Sequence, residues 1–462
     1  MKLKFSKNRF DKTFIGRESK LTHYTGVTFR LFPFTTNKGS ESITDLNEII
    51  GGFINRIQSR EPEQFHTKEL IDKLKSSTSI SSGYIDIFED VIRSMFFNQE
   101  NKLLPINLFT LEHNECITST HIKLAEYLVD VLGDKVILNE VVEDAKLKLN
   151  SQINVLERYF ISNLKSKAKK EESRKKFQRI TDVFKKTFED DFKYILESKN
   201  RTKEYLTQLI EFYYFIYTSQ VCLQLNNFLG GVRNSCIPLY FCLDWEKTSQ
   251  SRKCFSEGWT TLLQPSVEKM FAHAVVLEIL NNNDNGEVVD YITLGELVTQ
   301  SEELDKEIAD SLLEFTDYYR KMIVDCPQML EMVREEVTSD YTANEIKFLF
   351  NSVICQFIHT TRIGAYNEYA KKFEDFAYKF LKRRGRSGMM LNITEETLIF
   401  LTKISIKNQE KMRLNDVFKS FEQRGIFLDN ISKENVMKYY EKLNLIEKKS
   451  DSGDAQYVKR IL

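Results

Sequence analysis

Residues 391–462 read LNITEETLIFLTKISIKNQEKMRLNDVFKSFEQRGIFLDNISKENVMKYYEKLNLIEKKSDSGDAQYVKRIL, and the spacing of their apolar positions decides the architecture. Thr394 is a good helix N-cap, and Ile393 before it staples onto Leu398, opening a helix whose inward stripe is Leu398, Leu401 and Ile404. After a polar gap, Met412 and Arg413 suit a short strand. A second helix carries Leu414, Val417, Phe418 and Phe421 and stops at Gly425, the residue type favoured just past a helix end. Ser432 is expected to cap a third helix, with Val436, Tyr440 and Leu443 facing inward. Two extended runs, 445–449 and 456–462, flank the sequence SDSGD at 450–454, whose composition suits a hairpin turn. Helix, strand, helix, helix, hairpin is the order of a winged helix, so residues 385–462 are expected to form a small winged-helix (helix-turn-helix variant) domain. A fold does not by itself state a function.

Upstream, glycine (17) and proline (6) are scarce in 462 residues, and no proline lies between Pro105 and Pro238 or after Pro327. Such spans permit long helices, so the expected class is mainly α, an elongated multi-helix body with the winged helix at its end. Four consecutive segments follow: a mixed, mostly helical region at 1–140, a long-helix or helical-hairpin region at 141–280, a helical region at 281–384 ending in a long helix and a basic hinge, and the winged helix at 385–462. Residues 27–31 alternate as a strand does. Ile153, Leu156, Phe160 and Leu164 form one helical stripe, and Phe177, Ile180, Phe184, Phe188, Phe192 and Ile195 another. The basic run at 165–176 between them is read as solvated helix surface or a hairpin tip, with a nucleic-acid arm as the sharper alternative. The apolar stretch at 212–232 is interrupted by Gln220, Gln224, Asn226 and Asn227, amides that a buried helix accommodates more easily than a bilayer does. NNNDNG at 281–286 reads as the clearest internal linker. Thr342 to Glu345 reads as a capping box opening a helix that extends to Arg384, on the order of 60 Å if unbroken, with Gly364 a possible kink. Its apolar seam, continuing through Tyr366, Tyr369, Phe373, Phe376 and Phe380, is expected to dock partner proteins.

No phosphate-cradling GxxxxGK[ST], no GxGxxG and no HExxH occurs. The seven cysteines lack CxxC pairs, and Cys222, Cys236, Cys242 and Cys254 match no zinc spacing, so they read as scattered buried thiols. His273 and His359 sit on apolar helical stretches and read as hydrogen-bonded core residues. A nuclease can be assembled on paper from Asp325, Glu345 and Lys347, but acids in a first helical turn are common for dipole reasons. No cofactor, metal or catalytic residue is expected. The amino terminus reads as no signal peptide, and a cytoplasmic, nucleoid-associated protein is expected.

The net charge of −1 hides an asymmetry. Residues 379–462 hold 18 basic and 11 acidic side chains, a surplus of seven, and the remainder carries −8. A polyanion is therefore expected at the end of the chain. The candidate DNA contacts are Lys382, Arg383, Arg384 and Arg386 of the hinge, Lys433, Asn435, Lys438 and Lys442 of the third helix, and Lys448, Lys449, Lys459 and Arg460 of the wing. Glu434, Glu441, Asp451 and Asp454 oppose them, and winged helices also dock proteins.

Four segments together carry a family resemblance: THYTGVTFRLFPF at 22–34, RGRSG at 384–388, RGIFLD at 424–429 and SDSGDAQYV at 450–458. In content and order they resemble the DptG (DndG) family of DNA phosphorothioation-dependent restriction proteins. The resemblance implies a non-catalytic scaffold and DNA-engaging subunit of a bacterial defence complex that attacks unmodified DNA. It also implies DptF and DptH family partners that carry the NTPase and motor activities, and double-stranded DNA as the target. It places Arg424, Asp451, Asp454 and Tyr457 in the terminal module, where they serve its folding. A stand-alone winged-helix transcription regulator and a kleisin-like connector of a chromosome-organising complex are the competing readings.

Overall fold

Backbones poor in glycine and proline favour helix, and helical residues outnumber strand residues here by 60% to 8%. A computed structural model describes residues 4–16, 21–37, 39, 42–113, 118–169, 177–198, 202–335, 340–448 and 456–461. Among them no helix is long and apolar enough to cross a membrane. Contacts divide the chain into two compact units of interleaved segments: Asp45–Lys176 with Lys185–Tyr214, and Met1–Thr44 with Phe177–Phe184 and Phe215–Leu462. This differs in kind from four consecutive segments, because pairing joins residues far apart in sequence.

The first unit packs helices Ile50–Ile57, Ser119–Leu132, Lys135–Asn150 and Lys185–Glu197 through their apolar faces. Phe53 meets Phe192 edge-on at 6.0 Å. A satellite cluster gathers Leu70, Ile71, Leu74 and Ile92 around Phe96 stacked on Phe160 at 3.9 Å. The basic run departs from its helical reading. Ser166–Ala168 pairs antiparallel with Arg60–Pro62, the ladder continuing through Glu63 N–H to Lys165 O and Lys169 N–H to Ser59 O. Residues 170–176 lie outside the described chain.

The second unit is built on the latter part of α1 (Thr202–Asn226). Its glutamines act as backbone mimics. Gln220 donates to Ile237 O (2.7 Å) and accepts from Ile237 N–H (2.8 Å). Gln224 does the same with Ser235 O (2.7 Å) and Val232 N–H (2.9 Å). A strand, β1 (Tyr240–Leu243), follows, then α2 (Met270–Leu280), which is buried on every face. Beyond it come α3 (Glu302–Lys321), α4 (Tyr341–Ile358) and α5 (Ile363–Ala377). The single long helix expected from 342 is therefore two, interrupted at 359–362, where the Thr360 hydroxyl accepts the Arg362 N–H. Nor does the capping box form. Asp305 of α3 accepts the N–H groups of Tyr341 and Thr342 (2.9 Å each), and Glu345 pairs with Arg334. The seam expected to dock partners is consumed internally, with Ile346, Leu349, Phe350, Val353, Phe357, Tyr366, Tyr369, Phe373 and Phe376 all buried.

Three further expectations fail for one shared reason, which is that distant groups take the backbone hydrogen bonds. Residues 27–31 form no strand, because the N–H groups of Gly26, Val27, Thr28 and Phe29 converge on the buried Glu278 carboxylate (2.6–3.3 Å), Gly26 adopting φ +81° to do so. Residues 177–184 are not helical, since Gln178, Ile180 and Asp182 donate to Arg30 O, Tyr217 Oη and Arg233 O. The NNNDNG stretch is no free linker: its first three residues are buried and 284–286 exposed, with Asn282 O accepting from Ser6 N–H and Asp284 N–H donating to Lys4 O (2.7 Å each). Asn281 bonds Leu277 O and both backbone groups of Val289, and Asn282 and Asn283 are likewise shielded from solvent.

The carboxyl-terminal elements are β2 (Leu381–Arg383), β3 (Met389–Ile393), α6 (Glu395–Ile406), β4 (Lys411–Arg413), α7 (Leu414–Gln423), β5 (Phe427–Leu428), α8 (Asn430–Lys442), β6 (Ile446–Lys448) and β7 (Gln456–Lys459). Thr394 caps α6 as read, its side chain accepting the Thr397 N–H. Gly425 ends α7 at φ +81°. The cap of α8 is Asp429 rather than Ser432, and Leu443 is exposed rather than inward. One antiparallel sheet has the order β4-β7-β6. A second, β2-β3-β1-β5, ties the terminal region to residues 240–243: β1 runs parallel to both β3 and β5, and β2 antiparallel to β3.

Candidate nucleic-acid interface

The basic hinge is a β-hairpin between β2 and β3, closed by Gly385 (φ +53°) and Gly388 (φ +72°). Its turn is tight, with Arg384 N–H donating to Gly388 O at 2.8 Å. Two of its four cations are spent within the protein. Lys382 donates to the Asp244 carbonyl (3.0 Å) and carboxylate (2.5 Å), and that hydrogen bond holds Asp244 below the usual carboxylate range. Arg384 turns inward and donates to Leu243 O (2.7 Å), Asp244 O (3.1 Å), Glu246 O (3.2 Å) and Asn392 Oδ1 (2.8 Å). It thereby satisfies the carbonyls that β1 leaves open at its end. Arg383 and Arg386 point to solvent.

The amino-terminal end of α8 is also engaged. Asp429 caps the helix through the Ser432 N–H (2.9 Å) and receives a two-pronged bond from Arg252, Nη2 to Oδ1 at 2.6 Å and Nε to Oδ2 at 2.9 Å. Burial opposes the Asp429 charge, but the bonds from Arg252 and Ser432 outweigh it and leave the carboxyl below its ordinary value. Arg252 also donates to Ser432 Oγ (2.8 Å) and pairs with Glu246 (3.1 Å), which accepts from Ser432 Oγ (2.8 Å) and Asn435 Nδ2 (3.3 Å). In helix-turn-helix readers this end of the third helix meets base edges in the major groove. Here it is sealed against residues 244–252, and Asn435 is held by Glu246.

The cations that remain in solvent lie elsewhere. Lys433 pairs with Glu422 (3.0 Å) above the Phe418 ring. Lys438 and Lys442, on the later turns of α8, are exposed, with Glu434 and Glu441 on the same helix. At the end of the central strand β7, Lys459 is exposed and reaches Asn444 O at 3.4 Å, and Arg460 just beyond it is exposed with its N–H on Glu410 O (2.9 Å). The Lys448 side chain, Lys449, Asp451 and Asp454 lie outside the described residues. Arg424 is buried and donates to Ser420 O (2.8 Å) and Ile404 O (3.1 Å), tying α7 to α6. Tyr457 accepts from Arg413 (3.4 Å).

Two residues of this surface escaped sequence reading, Trp245 and Lys247, both exposed on the loop that seals α8. The loop also touches the hairpin, Gln250 Nε2 donating to Arg386 O at 3.3 Å. The only signal was a tryptophan in a polar stretch, DWEKTSQSRK at 244–253; its neighbours come from residues more than 130 positions away.

The acids weighed for a nuclease are each engaged in an ion pair. Asp325 pairs with Arg362, and Glu345 with Arg334. Among the described residues no cluster of His, Cys, Asp or Glu could hold a metal ion. His273 is a hydrogen-bonded core residue between Asn226 (3.1 Å) and Tyr291 (3.3 Å), whereas His359 is exposed at the end of α4. Cys222, Cys242, Cys254 and Cys326 are buried, and Cys236 and Cys355 half-buried. The sequence matches no family model and no curated protein.

Proposed function

We propose that this chain is a non-catalytic scaffold and DNA-engaging subunit of a phosphorothioation-dependent restriction complex of the DptG kind. Its carboxyl-terminal module acts as a winged helix that holds duplex backbone without reading bases. The observation that carries the reading is the division of the cations. Lys382 and Arg384 of the hairpin are consumed by the fold and Lys433 in the first turns of α8 pairs with Glu422, while Arg383, Arg386, Lys438, Lys442, Lys459 and Arg460 stay in solvent. Phosphate contact without base readout suits a defence system that meets arbitrary sequence. A stand-alone regulator needs the base-reading end, and that end is sealed.

The family resemblance supports the same reading from another side. Three of the four resembling segments perform folding tasks: residues 26–29 wrap Glu278, Arg384 fills the carbonyl cage, and Arg424, Gly425 and Asp429 fix α7 and α8. These are residues that a shared fold requires. The partners would be the DptF and DptH family proteins.

The test is salt-dependent binding of the full chain to duplex DNA, alone and with co-purified partners. Each cation that meets a phosphate contributes about 0.9 to the log–log salt slope. Charge reversal at Lys438, Lys442, Lys459 and Arg460 should therefore flatten the slope by roughly 3 to 4 with the helical spectrum intact. Unchanged affinity at several salt concentrations would sink the DNA-engaging half of the proposal. Recovery of the tagged protein from its host without NTPase partners would sink the other half.

A further inference from the structure

Surface tryptophans are uncommon, because leaving so large an apolar face in water is unfavourable. Trp245 is nevertheless 38% exposed, while Trp259, the second tryptophan of the chain, is 4% exposed. The Trp245 indole lies against the Tyr439 ring of α8, with centroids 4.7 Å apart and planes inclined at 31°. Tyr439 is itself held, its hydroxyl donating to Glu395 Oε2 at 2.9 Å. The pair is thus a fixed aromatic step rather than a loose side chain.

Cations lie on the two elements that carry the step. Lys247 follows two residues later on the same loop, Lys438 precedes Tyr439, and Lys442 lies one turn further along α8. The Gln250–Arg386 bond brings the hairpin, with Arg383 and Arg386 in solvent, against the far end of the loop. Among the described residues none of these five cations has an ion-pair partner. Glu434 and Glu441, on the same helix, temper the charge. A half-open aromatic face amid unpaired cations is what unpaired nucleotides need, base on ring and phosphate on ammonium. A duplex keeps its bases stacked on one another and has no use for such a face.

We propose that Trp245, seated on Tyr439 with Lys247 and Lys438 as near neighbours along the loop and α8, is a stacking platform for an unpaired base of single-stranded DNA. This rests on the DNA-engaging reading above and adds a strand preference to it. A complex that separates or nicks duplex DNA produces such a strand beside the duplex its subunit already holds.

The test compares the full-length protein with its W245A and W245F variants, using labelled oligothymidylate, a duplex of equal length and an abasic strand, all read by fluorescence anisotropy. Stacking of one base predicts that W245A binds oligothymidylate on the order of 10-fold more weakly and that W245F recovers most of the loss. Duplex affinity should be the same in all three proteins, and the abasic strand should not distinguish wild type from W245A. Equal oligothymidylate binding by wild type and W245A overturns the platform. Salt-dependent duplex binding that persists in that case leaves the proposed function standing. Failure of the full chain to bind either strand form overturns both. Loss of partner capture by W245A, with oligothymidylate binding unchanged, assigns the surface to a protein and overturns the platform.

Discussion

Glu278 is fully buried, and its solvation is replaced by four backbone N–H groups and the Thr28 hydroxyl (2.6 Å). A charge taken out of water is tolerable only when its lone pairs are satisfied in this way. His23, half-buried at the surface with its ring packed inward, and His273, fully buried, take the opposite course and are held neutral. Burial lowers each to a pKa of about 3, the Arg362 charge assisting at His23 and the Lys269 charge at His273. Their folded values lie below the unfolded 6.5, so the unfolded chain binds more protons between about pH 3 and 6.5. Stability should therefore fall as pH drops through that window and level off above it. Each histidine contributes a slope of about 1.4 kcal/mol per pH unit there. His273→Gln should remove one such increment between pH 6 and 4 in urea unfolding series; an unaltered slope would show that His273 does not stay neutral in the fold.

Single elements here owe their ends to partners outside themselves. The first turn of α8 is closed by its own Asp429, but Asp429 is in turn held by Arg252, 177 positions away. The Arg252 and Glu246 side chains are 7% and 1% exposed, so removing the guanidinium strands two carboxylates, one of them fully buried. Arg252→Ala should cost about 3–5 kcal/mol, the range for breaking a buried pair from one side. The loss is to be read from the midpoint of denaturant unfolding, and a shift below about 1 kcal/mol, the scale of an exposed pair, would refute the clamp. Gly425 shows the same dependence on distant residues. Its φ of +81° is what a helix end demands, yet a Cβ there would also lie 2.8 Å from Ile216 and 3.0 Å from Phe184.

For the molecule as a whole, continuity in sequence is a poor guide to what stands alone. Residues 385–462 look like a free domain, but β3 and β5 pair with β1, and Asp429 pairs with Arg252. An excised 385–462 fragment loses all of these contacts. It should melt roughly 10 °C or more below the intact chain, since about 1 kcal/mol shifts a domain of this size by several degrees. A fragment as stable as the full protein would show that the second sheet and the clamp contribute little. The same anchoring fixes the orientation of the module, so a charged surface spread over the hairpin, the 244–252 loop and α8 is presented as one.

Local physics in the sequence determined the helical class, the cap at Thr394, the stop at Gly425, the short strand through Met412 and Arg413, the apolar stripes of α6 and α7, and the burial of Gln220 and Gln224, though not of Asn226, half-buried, or Asn227, exposed. Each depends on residues within a turn or two, or on a side chain's own polarity. Which cations remained free was decided only by the tertiary structure. Lys382 and Arg384 carry the same charge as Arg383 and Arg386, and the open carbonyls of a strand about 140 residues earlier took the first two and left the second two in water. Trp245 and Tyr439 met for the same reason: α8 had to seat its buried first turn on the 244–252 loop, and the rings were carried together by that contact.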